Sequence, residues 1–547
     1  MPVQRRERAS FTERVARSVS RSVAARRLAV LRNELSGRRA PLRWSNLFGV
    51  VALACLAVLF VTGLLLMFWY APSSRRVDYG GSYAPLVGTD VSAAFSSILR
   101  ISFNIPGGLL VRQAHHWAAL LLPAAIILQL AVTFFTGAFR RRRGSWLLLF
   151  GLLVVALAGG WSGYALPDDM LSGTGLRIVE GIVLGIPVVG TWLSWLLFGG
   201  EFPGRIIENL YPIHIGVVPV LLVGLLALQS RAVFGRKPAS YAGEVGIPVY
   251  PNLAVRAGGL FAIVSGIILL VAATVTVSPV WLYGPSSPGE ASAGSQPDWY
   301  TGFLDGALRL VPPGWEVEWL GRTWTLAILV PLGVVGAFLF AIALYPYFER
   351  WVRGERDDDV LLDRPRNEPT RTGIGAAGIV FYGTLWGAGS ADLIATHLHL
   401  GLESVVHSFQ ALVVLGPLAA FALTRRICLA LQKKDRSLLL HGYETGRVVR
   451  LPGGEYVEVH RPVPEEERRR LTGPRALPLV VAHPDDAGRL RVLDRLRARL
   501  SHAYFEDRLG PLSVDDDKAD NGLAPAGAEV AGEDRSDATG TRRAGAA

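Results

Sequence analysis

Long runs of apolar residues dominate the first 425 positions of the chain. A helix needs about 20 residues to cross a bilayer, and eight runs approach that length. They lie at 45–70, 110–135, 146–166, 206–232, 254–277, 322–346, 374–390 and 405–424. The pattern predicts an all-α polytopic membrane protein with eight transmembrane helices. A further apolar stretch, 184–200, is broken by Pro187 and several glycines, so we expect helices that lie on the membrane there.

The polar segments divide the chain around these spans. We predict five regions: a basic cytoplasmic segment at 1–44, helices 1–4 at 45–240, helices 5–8 at 241–425, a small cytoplasmic extension at 426–511 and a disordered tail at 512–547. Alternation of apolar and polar residues predicts a strand or hairpin at 455–463, and helical periodicity predicts an amphipathic helix at 487–500. The tail is rich in Asp, Ala and Gly, a composition that cannot form a core.

The charge distribution gives an orientation. The net charge is +11, and Arg and Lys concentrate in the first 44 residues and in alternate loops between the spans. Because cytoplasmic loops carry the excess of Lys and Arg, an even number of spans puts both termini in the cytoplasm. The connections at 71–109, 167–205, 278–321 and 391–404 then face outward from the cell membrane. Charge placed in this way indicates a membrane protein and argues against nucleic acid as a partner.

Two of the predicted spans carry the same pair of polar residue types. The second has His115 and Gln129, and the fourth has His214 and Gln229. Spacings of 14 and 15 residues are about four helical turns, so each pair lies on one face of its helix. The two histidines come to matching outer depth, where converging imidazoles suit a haem iron with two histidine ligands. His116 lies about 100° around the helix and is expected to be a neighbour that is not a ligand.

Several separate motifs resemble one known family. They are "GGLLVRQAHHWAAL", "FFTGAFRR", "GYALPDDMLSGTG", "PVVGTWLSWLLFGGEFPG", "SQPDWYTGFLDGALRL", "LLDRPRNEPTRTGIG" and "LALQKKDRSLLLHGYETG". Together they resemble the cytochrome b subunit of the actinobacterial-type cytochrome bc1 complex, a menaquinol–cytochrome c reductase. The resemblance covers roughly residues 30–470. It implies a haem-binding four-helix bundle that carries two b haems, one near each face of the membrane.

The resemblance assigns roles to outer-level residues. It implies that His115 and His214 are the axial ligands of the outer haem and that Arg112 pairs with a haem propionate. Charge-assisted pairing offsets the cost of burying a carboxylate. Gly63 and Gly163 match glycines that the family packs closely against its haems.

The chain departs from the family at the inner level. The family has histidines where this chain has Gln129 and Gln229, and an arginine where it has Val132. Gly49 is present 14 residues before Gly63, but the residue 14 before Gly163 is Leu149, with Gly151 nearby. Amide oxygen is a poor substitute for imidazole on a low-spin iron. We therefore predict one b haem where the family has two.

The string "PDWY", Pro297 to Tyr300, lies in the outward loop before the sixth span. It resembles the family's quinol-oxidation motif, in which most members have Glu where this chain has Asp298. Quinol oxidation releases two protons, so a carboxylate there can accept one. The resemblance places Tyr300 in the same site and Tyr164 between that site and the outer haem. Asp168 and Asp169 follow Tyr164 and are expected to cap the next surface helix.

Three functional interpretations stay open at this point. The first is a quinol–cytochrome c reductase subunit that oxidises menaquinol, active only with a Rieske-type iron–sulfur subunit and a c-type cytochrome, in a complex that is expected to be a homodimer and could join a terminal oxidase. Cys55 and Cys428 are the only cysteines, so those redox groups must come from other chains. The second is a non-catalytic or regulatory single-haem paralogue. The third, a transporter, lacks the broken spans or inverted repeats expected of that class.

Overall fold

The computed structural model describes residues 30–505 except for 31, 201, 235–238, 242–243, 288, 290–295, 355–360, 472–478 and 482–490. Seven helices in these ranges are long and apolar enough to cross a membrane. They are α1 (Phe48–Met67), α3 (Gly108–Phe135), α4 (Arg143–Ala165), α7 (Ile206–Val233), α8 (Ala254–Thr274), α11 (Leu326–Arg353) and α14 (Leu402–His441). The protein is therefore a polytopic helical membrane protein, as the apolar pattern predicts.

The remaining expected span is a helix of lower hydropathy. Residues predicted to span at 374–390 lie in α12, Pro369–Ala388, which is 20 residues long but is not among the seven apolar helices. Its first turns carry Arg371 and Thr372, and both side chains are buried. The count of eight spans therefore remains a prediction. Within the described ranges, seven helices are long and apolar enough to cross a membrane.

Several predicted boundaries are wrong; besides the two below, α11 continues to Arg353 where an end at 346 was expected, and α12 begins at Pro369 where a start at 374 was expected. The sixth span was expected to begin at 322, but Arg322–Thr325 forms strand β6, paired antiparallel with β5, Glu316–Trp319, and α11 begins only at Leu326. The eighth was expected to end at 424, but α14 continues to His441. Thr and Trp in β6 favour a strand over a helix. Past residue 424 the α14 sequence is charged but contains strong helix formers, so a solvated helix continues where the apolar pattern stops.

A chain of helix contacts forms the main core. Helix α3 packs against α1, α4 and α8, and α4 packs against α7. Their contact faces share one apolar cluster, which includes Cys55, Ala118, Leu152 and Leu222. Small residues such as Ala114 and Ala118 are fully buried, and small side chains let membrane helices approach closely. These contacts bring α1, α3, α4 and α7 around a common space.

Buried ions hold the ends of α3, α11 and α12 together. Arg371 of α12 is completely buried and lies 3.4 Å from Glu349 of α11 and 3.2 Å from Asp363. Arg140, after the end of α3, also binds Asp363. Two guanidinium groups and two carboxylates in one buried cluster satisfy one another, since an unpaired buried charge would be strongly destabilising. This cluster is where the motif "LLDRPRNEPTRTGIG" lies.

Short elements fill the connections between the long helices. Helix α2, Ala93–Phe103, follows the hairpin of β2 (Arg76–Asp78) and β3 (Asp90–Ser92). The stretch 184–200 contributes the end of α5, Met170–Leu184, and all of α6, Gly190–Phe198. Neither is long enough to span, and Trp192 and Trp195 of α6 are exposed. These are short helices, as the broken apolar pattern predicts.

Four other short helices lie in the described part of the chain. These are α9 (Val280–Tyr283), α10 (Gly302–Arg309), α13 (Ala391–His397) and, after α14, α15 (Glu465–Leu471). Strands β1 (Arg39–Ala40) and β4 (Ile247–Pro248) pair with each other.

The C-terminal extension confirms part of its predicted structure. Strand β8, Tyr456–Arg461, lies within the predicted segment 455–463 and pairs with β7, Tyr443–Arg450, which was not predicted; both lie in a compact unit that begins at Gln432. Helix α16, Val492–Phe505, overlaps the helix predicted at 487–500 but ends five residues later, and it belongs to the unit that contains the membrane helices. The basic N-terminal residues before 30 and the predicted disordered tail at 512–547 lie outside the described residues.

Candidate functional site

His115 of α3 and His214 of α7 face each other across one space. Their ring centres are 6.2 Å apart and the ring planes are inclined by 65°. Two imidazoles bound to one metal ion at about 2 Å each would have ring centres roughly 6 Å apart. The two side chains are therefore spaced for two-histidine ligation, and the outer-level pair predicted from helical spacing does converge.

A hydroxyl group orients each imidazole. The Thr62 hydroxyl of α1 donates to Val58 O at 2.6 Å, so its oxygen is left to accept from His115 Nδ1 at 2.9 Å. Ser162 of α4 repeats the arrangement, donating to Gly159 O at 3.0 Å and accepting from His214 Nδ1 at 3.1 Å. A proton on each Nδ1 leaves each Nε2 lone pair available for a metal.

Glycines on α1 and α4 make room for the imidazoles. A Cβ on Gly63 would lie 3.1 Å from His115 Cε1, and a Cβ on Gly163 would lie 2.6 Å from His214 Cε1. Any larger residue would push the rings out of position, more severely at Gly163. Thr62–Gly63 on α1 and Ser162–Gly163 on α4 are therefore equivalent pairs. In each pair, the hydroxyl residue orients an imidazole ring and the glycine leaves space for it.

A π-helical turn accounts for the unequal spacing of the two polar pairs. Ile213–Val217, which contains His214, is π-helical and follows Pro212 within α7. A π turn holds one more residue than the helix around it needs, and such turns are frequent at functional sites. The 15 residues from His214 to Gln229 therefore make about the same number of helical turns as the 14 residues from His115 to Gln129 in α3.

The histidines line a cavity of about 330 Å³ between the helices. Its walls come from α1, α3, α4 and α7 and from the loop that carries Asp298 and Tyr300; they include Gly63, His115, Gly163 and His214. Arg112 also lines it, donates to Ser278 O at 2.9 Å, and has a buried Nε without a hydrogen-bond partner. A mostly apolar slot with two free imidazole nitrogens and an unsatisfied guanidinium fits a haem and one of its propionates.

The carboxylate of Asp298 lines the same cavity and is held at both oxygens. His116 Nε2 donates to Oδ1 at 3.1 Å, and the Tyr300 hydroxyl donates to Oδ2 at 2.8 Å. The neighbouring Trp299 Nε1 donates to Leu120 O of α3 at 3.1 Å. Burial, and then the nearby Asp298, raise the pKa of Tyr300 well above its usual value near 10, so its phenol remains a donor.

Two further aromatic contacts fix this loop against α4. The Tyr300 ring packs so closely on Gly160 that a Cβ there would lie 2.4 Å from its hydroxyl oxygen. The Tyr164 hydroxyl, also at the cavity wall, donates to Gln296 O at 3.4 Å. The three residues predicted for the quinol site, Asp298, Tyr300 and Tyr164, are thus brought together beside the histidine pair.

Of the two aspartates predicted to cap a helix, one does so. Asp169 is the N-cap of α5, accepts from Leu171 N at 3.1 Å and forms a capping box with Ser172. The prediction for Asp168 is wrong: it precedes the cap in a left-handed conformation with φ of 54°, which an aspartate tolerates better than most residues. Burial raises the pKa of Asp168 to about 6.

The inner level of the same helices is built differently. Ser145 donates to Gln229 Oε1 at 2.9 Å, so this amide is committed to α4. Leu149, 14 residues before Gly163, is buried, as is Leu152. On its four helices the cavity extends inward only to Leu56, Leu122, Ala156 and Leu222. Gln129, Gln229 and Val132 do not line it.

Thr62, Ser162 and the partner of His116 were not predicted from the sequence. Serine and threonine are common in membrane helices, where they bond the carbonyl four residues back, so neither hydroxyl stands out alone. The available signal was a repeat: each precedes a glycine that the resemblance assigns to close packing against the outer haem. No signal in the sequence paired His116 with Asp298, which is 182 residues away.

Residues 120–285 match the family model described as "Cytochrome b(N-terminal)/b6/petB". The chain is 43% identical over 479 residues to the cytochrome bc1 complex cytochrome b subunit of Streptomyces coelicolor, covering 85% of this chain and 88% of that one. It is 42% identical over 445 residues to the corresponding subunit of Mycobacterium bovis, covering 80% of each. A solved structure titled "Hyperthermophilic respiratory Complex III" covers 75% of this chain and 98% of its own, with a TM-score of 0.56 and 17% identity.

The fold and the site define a helical membrane protein of the haem-binding cytochrome class. The relatives specify it further: the chain belongs to the family of cytochrome b subunits of the cytochrome bc1 complex. The resemblance drawn from the separate motifs is therefore confirmed.

Proposed function

We propose that this chain oxidises menaquinol at the outer cavity and passes one electron to a single b haem held by His115 and His214. The observation that carries the proposal is the shared cavity, which is lined by both histidines, by Asp298 and by Tyr300. An electron acceptor and a proton acceptor must both lie beside a quinol that gives up electrons and protons together. The relatives named above are subunits of an oxidoreductase complex, which supports this class of activity.

The residues of the chain supply binding, orientation and proton acceptance. The haem, when bound, supplies a one-electron acceptor. Arg112 is placed to pair with a propionate, and Thr62 and Ser162 keep both Nε2 atoms aimed into the cavity. Asp298 has two of its lone-pair sites occupied by His116 and Tyr300. A carboxylate has about four such sites, so others remain to accept the proton of a quinol hydroxyl.

Three inner-level differences support a single haem. Both ligand positions are glutamines, and the arginine position is Val132. Leu149 and Leu152 of α4 are buried at that level, and the cavity that His115 and His214 line ends before it. An electron on the outer haem then has no haem about 20 Å inward to receive it, so the return of that electron to quinone at the inner face does not follow the family's route.

The remaining redox steps need other chains. The second electron of each quinol goes to a Rieske-type iron–sulfur subunit and then to a c-type cytochrome, because this chain lacks the cysteine sets for either group. We place the complex in the cell membrane as a dimer with both termini of this chain cytoplasmic and with an optional terminal oxidase partner. The positive loops between the spans support that orientation.

The test is a haem count together with quinol-driven reduction. The purified complex should contain one b haem for each copy of this chain, and His214→Ala should contain none. Asp298→Asn should keep the haem but reduce it roughly a hundredfold more slowly with a soluble menaquinol analogue, since positioned proton acceptors contribute about 10²–10⁴ in rate. Two low-spin b signals from the native chain would overturn the single-haem assignment, and an unchanged rate in Asp298→Asn would remove Asp298 from the mechanism.

The inner-level substitutions favour one second candidate, a single-haem paralogue without catalytic activity. It shares the haem count but not the reduction. A complex with one haem that a menaquinol analogue fails to reduce, while dithionite reduces it, would identify this candidate.

A further inference from the structure

We infer that His116 is a positioning residue for quinol oxidation, holding Asp298 in the geometry in which it accepts the quinol proton. The inference rests on the proposed function, because it concerns how the proposed proton acceptor is oriented. His116 was expected only as a neighbour of a ligand. Its Nε2 lies 3.1 Å from Asp298 Oδ1, and both side chains are largely buried, with 17% and 13% of their surfaces exposed.

The bond connects α3 to a loop that lies 182 residues further along the chain. Asp298 lies in a loop that follows α8, whereas His116 lies on α3 next to the ligand His115. One turn further along α3, Leu120 O accepts from Trp299. The segment 298–299 is therefore fastened to the ligand-bearing helix at two successive turns. Of these two bonds to α3, only the one from His116 involves the carboxylate of Asp298.

The second partner of Asp298 holds the carboxylate from another side. Tyr300 donates to Oδ2 from two residues away and is packed against Gly160 of α4. The bond from His116 fixes Oδ1 relative to α3, the helix that carries His115. An aspartate carboxylate can rotate away from the cavity, and a displacement of about 1 Å in a reacting group can lower a rate by about a hundredfold.

The roles of the two adjacent histidines follow from their directions on the helix. A step of one residue turns about 100° around the axis, so His115 points toward His214 while His116 points toward the quinol loop. His115 is bonded through Nδ1 to Thr62 and His116 through Nε2 to Asp298. The consecutive pair "HH" thus serves haem ligation with its first member and carboxylate orientation with its second.

The experiment uses the purified complex and compares His116→Leu with His116→Gln. Leucine has similar bulk and no donor, whereas the amide nitrogen of glutamine reaches about as far as Nε2. His116→Leu should lower the saturating rate of haem reduction by a menaquinol analogue about tenfold to a hundredfold, with haem content, optical spectrum and KM unchanged. His116→Gln should keep most of the rate.

A double-mutant cycle separates positioning from a general structural effect. If His116 acts through Asp298, then His116→Leu combined with Asp298→Asn should be no slower than Asp298→Asn alone. Multiplied losses in the double variant, or a wild-type rate in His116→Leu, would overturn the inference. If His116→Leu loses haem, His116→Asn is used in its place, because the asparagine amide is too short to reach Asp298. Equal rates for His116→Asn and His116→Gln would then overturn the inference.

The result also separates this inference from the function on which it rests. A slow Asp298→Asn with a fast His116→Leu would reject the positioning role and leave the proposed function standing. A fast Asp298→Asn would reject the proposed role of Asp298, and the role of His116 with it.

Discussion

The outer and inner levels of α3 and α7 differ in the side chains that face each other across the bundle. At the outer level, two imidazoles lie 6.2 Å apart, each has a hydroxyl partner, and each has a glycine opposite it. At the inner level the corresponding residues are the amides Gln129 and Gln229; Gly49 lies opposite Gln129, and Gln229 is bonded to Ser145. The cavity that the histidines line stops before this level.

This difference shows that a haem site depends on the neighbouring helices as much as on its ligands. A single His→Gln substitution would remove a ligand and leave the slot. Here Leu149 and Leu152 of α4 are buried at the inner level, and the cavity that His115 and His214 line ends before it. The glycines give the most direct way to test the comparison.

The largest effect is expected from adding a methyl group opposite a ligand. Gly163→Ala should greatly reduce haem incorporation, because its Cβ would lie 2.6 Å from His214 Cε1 and the ring cannot shift without leaving the iron. Overpacking of this kind costs about 1–3 kcal/mol. Gly63→Ala, with a 3.1 Å contact, should be milder. The pyridine haemochrome of the purified complex measures the loss.

Matched glycines at the inner level provide the control. A Cβ on Gly151 would meet Leu225 at 3.6 Å, and one on Gly49 would meet Gln129 Oε1 at 3.8 Å, both ordinary contacts. Gly151→Ala and Gly49→Ala should therefore leave the haem content unchanged. If these two variants lost haem as Gly163→Ala does, the inner level would have to hold a haem after all.

A smaller effect is expected from the hydroxyl that orients His115. An acceptor on Nδ1–H makes the imidazole a more basic ligand, which favours oxidised iron. Thr62→Val removes that acceptor at nearly constant shape, so the midpoint potential of the haem should rise. One hydrogen bond of about 1 kcal/mol corresponds to a shift on the order of 40 mV for one electron. Redox titration of the b haem measures it.

Thr133 supplies the inner-level counterpart of that variant. Its hydroxyl donates to Gln129 O at 2.7 Å on the same helix, but it has no imidazole beside it. Thr133→Val should leave the potential where it is. A shift in Thr133→Val as large as that in Thr62→Val would mean that the potential responds to any loss of a hydroxyl group, and the orienting role of Thr62 would be rejected.

The sequence predicts the convergence of His115 and His214 well because its signal is geometric. Four helical turns separate a histidine from a glutamine in two spans, and this regularity survives in the structure. The same reasoning could not foresee the π turn around His214, since it changes the register by one residue and leaves the pattern almost intact. It could not foresee the bond from His116 to Asp298 either, because long-range pairing is not encoded in local periodicity.

Helix α12 is 20 residues long but is not among the seven apolar helices. Arg371 is completely buried, and its charge is balanced by Glu349 and Asp363. A scale that assigns each residue a transfer cost counts such an arginine as if it faced lipid, although paired charges inside a helical assembly do not. The loop motif that identified the family therefore also lowers the apparent hydropathy of the helix that follows it.

The smallest effect should come from restoring the missing ligands. Gln129→His combined with Gln229→His returns two imidazoles to α3 and α7, yet we expect the haem content to stay at one per chain. Leu149 and Leu152 of α4 remain buried at the inner level, and Val132 offers no cation to a propionate. Adding Leu149→Gly and Val132→Arg to the two histidines removes part of that barrier. If the double variant already contains a second b haem, the two ligands were the only component lost. If a second haem appears only in the quadruple variant, then the residues at 149 and 132 also exclude it.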